Sequence, residues 1–138
     1  MSEINTEYLQ KCIDTLEKSY KMLQGAETDS IEFEMYRNSL IKSFEMTIEQ
    51  SGKLLRKKIT PYLSSKKAAD QLVFKDIFRY AQRASLLTDA ETERWMKYRD
   101  NRNNIAHDYG QAFAEETLTL MESFLADAKS LKEVIDNA

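Results

Sequence analysis

"TDAETERWMKYRDNRNNIAHDYG", residues 88–110, reads as one helix with a marked start and a marked end. Its opening, "TDAE", is a capping-box sequence: the Thr88 hydroxyl accepts from the Glu91 amide while the Glu91 carboxylate reaches back to the Thr88 amide. Trp95, Tyr98, Arg102 and Ile105 then recur on related faces, and Gly110 breaks the chain. A charge-rich helix that carries a tryptophan and a tyrosine needs other helices to cover those rings.

The flanking sequence supplies them. Downstream, Leu118, Met121, Leu125, Ala128, Leu131 and Ile135 predict a helix over residues 112–136. Upstream, Phe74, Ile77, Phe78 and Ala81 predict a shorter helix reaching about Leu87, and "TPYLSSKKAADQ", residues 60–71, reads as a loop or frayed turn. Before that loop, Phe33, Leu40, Ile41, Phe44, Ile48, Leu55 and Ile59 carry one apolar stripe from Asp29 or Ser30 to Pro61. Gly52 lies inside that long helix, where glycine costs ~1 kcal/mol relative to alanine, and marks a close helix crossing. A first helix over residues 3–24 follows from Leu9, Ile13, Leu16, Tyr20 and Leu23, with Gly25 placed to end it. The expected fold is all-α, an antiparallel four- to five-helix bundle forming one domain over residues 1–138.

Composition agrees. Three glycines and one proline in 138 residues argue against a turn-rich β architecture. Cys12 stands alone, which excludes an intrachain disulfide and a thiolate zinc cluster, and its neighbours Leu9, Ile13 and Leu16 place it as a buried thiol. No window approaches the ~18 apolar residues of a membrane span and no apolar signal region follows the N-terminus, so the expected location is the cytoplasm, with no membrane partner. The net charge of −3 hides an uneven spread: Arg37 to Arg83 holds eleven Lys/Arg against four Asp/Glu. Solvated helix faces account for such a basic middle, and it can also attract phosphates.

The single histidine, His107, stands five residues after Arg102 and two before Tyr109. On an unbroken helix, positions five apart diverge by about 140°. Arg102 and His107 converge only if the helix loosens near Gly110 or if a second copy of the chain contributes. Asn103 and His107, four apart, share a face. A metal site is weakly supported, with one histidine and only Asp108 close by. A serine hydrolase lacks its G-x-S-x-G elbow. Phosphoryl transfer on RNA fits better: histidine can take a proton from a ribose 2′-hydroxyl near neutral pH, and arginine can hold the scissile phosphate. That chemistry needs no metal and no cofactor. The plain structural alternative packs His107 at a helix end and leaves Arg102 in a surface ion pair. Glu45 and Glu49, four apart on the long helix, are expected to pair with Lys42, Lys53 or Arg56 rather than do chemistry. Trp95 and Tyr98 could stack on a base, but core packing is the stronger expectation for Trp95.

"RNNIAHDY", residues 102–109, resembles the R-x4-H-x-Y motif of the HEPN superfamily, whose members are small helical bundles. "SFEMTIEQSGKLL", residues 43–55, is similar to the F-E-x-T-x-E segment of the nucleotidyltransferase substrate-binding proteins, and Trp95 stands seven residues before Arg102, about where that family has its tryptophan. The likeness covers roughly residues 30–135. The family often has arginine before the F-E pair; here Ser43 stands there, with Lys42 one step earlier, so no phosphate contact is carried over to that position. The resemblance implies a cognate minimal nucleotidyltransferase as partner. It also implies one of two roles: a metal-independent endoribonuclease that acts as the toxin of a toxin–antitoxin pair, or a non-catalytic substrate-binding subunit of the transferase. In the first, Arg102 and His107 would be catalytic with Asn103 in support, Tyr109 would take the nucleotide added by the antitoxin, and RNA would be the substrate. Cleavage through a 2′,3′-cyclic phosphate wants both an acid and a base. One chain has one histidine, so a homodimer with facing motif helices is expected.

Overall fold

A computed structural model describes residues 4–107 and 111–137, with side chains for all of these except 105–107 and 111–114. The described residues form six α-helices and no strand: α1 (Glu7–Gln24), α2 (Ile31–Ile59), α3 (Lys66–Asp70), α4 (Phe74–Arg83), α5 (Asp89–His107) and α6 (Gln111–Asp136). The expected all-α bundle is thus found, with one short helix more than the apolar periodicity indicates.

Local chemistry sets the helix ends. Ser30 caps α2 by accepting from the Phe33 amide at 3.1 Å; Glu32 and Glu34 sit in its first turn and Arg56, Lys57 and Lys58 in its last, which complements the helix dipole at both ends. Both bonds of the α5 capping box form, Glu91 N–H to Thr88 Oγ1 at 3.1 Å and Thr88 N–H to Glu91 Oε1 at 2.9 Å.

Two expectations need correction. Residues 60–71 are not a plain loop: Thr60–Tyr62 form a 3-10 turn, and Ser65 caps α3 by accepting from the Ala68 amide at 3.0 Å. α4 ends at Arg83 rather than near Leu87. There Leu86 N–H reaches back to Ala81 O and Ser85 N–H to Gln82 O, with Ser85 at a left-handed φ of 63°. This is a Schellman stop closed on serine instead of glycine, which hid it from a search for breakers.

α1 and α2 are joined by a short turn and pack along their lengths, while α6 lies against α1, α2 and α5. The core is aromatic at its centre. The Phe124 ring from α6 meets Phe44 of α2 at 4.7 Å, Tyr98 of α5 at 4.8 Å and Trp95 of α5 at 5.5 Å, all edge-on. Phe78 of α4 adds a fourth contact, 4.9 Å from Trp95. Gly52 marks a close approach as expected: a Cβ there would stand 3.0 Å from the ring of Phe74, the first residue of α4.

Candidate functional site

α5 carries the motif, and its two flanks are built differently. One flank faces α6 and is fixed at three successive turns. Arg94 grips Asp127 with Nε at 2.7 Å and Nη2 at 2.9 Å. The Tyr98 hydroxyl donates to the same carboxylate at 2.5 Å and lies 2.9 Å from Ser123 Oγ. Buried Asn101 donates to Thr117 Oγ1 at 2.7 Å. Burial and the Asp127 bond push the Tyr98 phenol up, and the Asp127 contact holds Arg94 above its ordinary value. Neither Trp95 nor Tyr98 can stack on a nucleotide, since both are fully enclosed. The core reading of Trp95 therefore extends to Tyr98.

The other flank carries Arg99 and Arg102 toward α2 and α4. Arg102 Nη2 donates to Glu49 Oε1 at 2.6 Å, joining the R-x4-H segment to the F-E-x-T-x-E segment. The carboxylate was expected to pair with Lys42, Lys53 or Arg56 of its own helix; its partner is Arg102 of α5, 53 residues on. Arg56 instead donates to Leu72 O at 2.7 Å. The Arg102 side chain is 23% exposed and that of Glu49 57%. Asn103 Oδ1 lies 3.5 Å from Arg102 Nη1, at the limit of a hydrogen bond.

α5 remains helical from Asp89 to His107, so the helix does not loosen between Arg102 and His107, and the two positions diverge by about 140°. The side chain of His107 and all of Tyr109 lie outside the described residues.

Elsewhere, Cys12 is buried and burial pushes its thiol up, which makes it a packed hydrophobe. Among the described residues no three His, Cys, Asp or Glu side chains cluster so as to hold a metal ion, and no helix is long and apolar enough to cross a membrane. Sequence reasoning missed Asp127, Arg94 and Arg99. For Asp127 a signal existed: it stands three residues after Phe124 on the inward face of α6, where a carboxylate needs a partner.

The chain is similar to known proteins over most of its length. Over 93 residues it is 31% identical to a Haemophilus influenzae protein named probable ribonuclease HepT, a match spanning 67% of this chain and 62% of that relative's length. A solved Haemophilus influenzae structure, described as the fold of a substrate binding domain of a nucleotidyltransferase, superposes with a TM-score of 0.80 at 24% identity, over 96% of this chain and all of that one. A Thermus thermophilus protein superposes at 0.70 with 21% identity, over 94% of this chain and 99% of that one. Both solved structures share the helical fold. Residues 5–137 match the family model described as nucleotidyltransferase substrate binding protein like, and the chain belongs to that family.

Proposed function

We propose that this chain is a metal-independent endoribonuclease, the toxin of a toxin–antitoxin pair, held in check by a partner nucleotidyltransferase. The observation that carries the reading is the state of Arg102. Its guanidinium is largely covered and directed, it lies outside the apolar core, and an exposed carboxylate opposes it. A cation so held suits a phosphate better than it suits packing. The name of the Haemophilus influenzae relative points the same way.

In this reading the 2′-oxygen attacks phosphorus as the P–O5′ bond breaks. One His107 takes the 2′-hydroxyl proton and a second, protonated His107 gives a proton to the departing 5′-oxygen. Arg102 offsets the charge on the phosphoryl oxygens, with Asn103 in support. Because positions 102 and 107 diverge by about 140° along an unbroken α5, the set is completed by a homodimer with two motif helices facing each other. The partner transferase attaches a nucleotide to the Tyr109 oxygen, with pyrophosphate leaving. The added phosphate then repels RNA beside the site.

A second reading is a non-catalytic substrate-binding subunit of the transferase. The Arg102–Glu49 pair favours it, because the motif arginine is already matched within the chain. Cleavage of total RNA or tRNA in EDTA separates the two. The ribonuclease yields 2′,3′-cyclic phosphate and 5′-hydroxyl ends, and His107→Ala and Arg102→Ala each lower its rate by ~10²–10⁴-fold while circular dichroism stays unchanged. A wild-type chain that cuts no RNA, and whose expression alone does not arrest growth, leaves the binding subunit.

A further inference from the structure

Arg99 precedes Arg102 by three residues on α5, on the same flank. Its guanidinium lies over the Phe74 ring, 4.9 Å from the centroid. That ring is itself fixed, stacked on Phe78 at 4.4 Å and seated against Gly52 of α2. Burial, and then the charge of Arg102, press the Arg99 guanidinium down, and Glu49 offsets part of this. Buried Arg102 Nε has no hydrogen-bond partner among the described residues. Two partly covered cations therefore face one exposed carboxylate, which contacts only Arg102, and a surplus positive charge is left on this flank. An anion with several acceptor oxygens would relieve both, and planar guanidinium forks fit phosphate oxygens bidentately. Lys53 and Arg56, four and seven residues beyond Glu49, continue the basic face along α2. An extended polyanion matches such a track better than a compact nucleotide does.

We propose that Arg99 and Arg102 form a clamp for two neighbouring phosphates of single-stranded RNA, and that Glu49 holds Arg102 in place until RNA takes its position. Arg102 meets the scissile phosphodiester and Arg99 the next one. Arg99 touches no reacting atom and is a binding residue. The choice of scissile phosphate rests on the ribonuclease reading; RNA binding by the clamp does not.

The test uses the full chain and a fluorescent single-stranded RNA with 2′-O-methyl groups throughout, which removes the attacking hydroxyl. Binding is measured across a range of NaCl concentrations. Arg99→Gln weakens binding by about tenfold and lowers the slope of log affinity against log salt by ~0.7, the value of one lost single-strand phosphate contact. Arg99→Lys restores the slope but only part of the affinity, because it keeps the charge and loses the fork. Glu49→Gln tightens binding severalfold by freeing Arg102. An unchanged salt slope in folded Arg99→Gln overturns the clamp. So does weaker binding in Glu49→Gln, or an effect of Arg99→Gln on ATP binding with none on RNA. Since this RNA cannot be cut, a wild type that cleaves nothing yet shows these shifts keeps the clamp and removes the nuclease.

Discussion

Two arginine–carboxylate pairs hang on the same helix, eight residues apart, and they are inverted copies of each other. In Arg94–Asp127 the carboxylate is 8% exposed and the arginine 40%. In Arg102–Glu49 the arginine is 23% exposed and the carboxylate 57%. The first anion is enclosed and answered three times, by Nε and Nη2 of Arg94 and by the Tyr98 hydroxyl. It cannot leave without breaking all three of these bonds. In the second pair the cation is held by the protein while the anion stands in water and meets it through one contact. The enclosed partner determines what a pair can do. A buried carboxylate makes a fastener between α5 and α6, and a largely covered guanidinium opposed by an exposed anion makes a site whose counter-ion can be exchanged.

Stability measurements on single variants probe this contrast. Asp127→Ala should have the largest effect, lowering the unfolding free energy in urea by about 2–3 kcal/mol. That is less than the ~3–5 kcal/mol of a wholly buried pair because Arg94, 40% exposed, regains water. A loss under ~0.5 kcal/mol would mean that the fastener contributes no more than an ordinary surface pair.

Tyr98→Phe comes next, at about 1 kcal/mol, since Asp127 keeps Arg94 when the hydroxyl goes. The same variant has a pH consequence. The phenol is raised in the folded chain from an ordinary value of 10.0, so its contribution is complete below pH 10 and is lost as pH rises from there through the folded value. Wild type should therefore lose stability in alkali more steeply than Tyr98→Phe, as thermal melts at pH 8 and above pH 10 would show.

Glu49→Gln should have the smallest effect, within about 0.5 kcal/mol of wild type, because exposed pairs contribute little. A cost equal to that of Asp127→Ala would abolish the distinction between the two pairs.

Much of this was legible in the sequence, for reasons that differ by region. The stripes of α1, α2 and α6 are long and periodic, so burial of Leu9, Ile13, Phe44, Ile48, Leu131 and Ile135 follows from spacing. The start of α5 follows from a capping box whose partners are three residues apart. α3 was hidden because its five residues, "KKAAD", are too few to show a period. Arg102 and Glu49 each belong to a recognisable motif, but their pairing was not legible, since 53 residues separate them and helix spacing offered nearer lysines. Asp127 and Arg94 were missed for the same reason: their contact exists only once α5 and α6 are packed.

Phe124 has a consequence for how the chain is made. Its ring is the common neighbour of Phe44, Trp95 and Tyr98, and it belongs to α6. During synthesis α1 and α2 can pair early as a local hairpin, but the aromatic centre stays open until residue 124 has left the ribosome. The Thr6–Asp136 hydrogen bond, 2.6 Å long, forms later still. Assembly of the flank that carries Arg94 and Tyr98 thus waits for α6. A nascent chain halted before α6 presents an unfilled aromatic groove, which makes it a client for chaperones and proteases rather than a working protein.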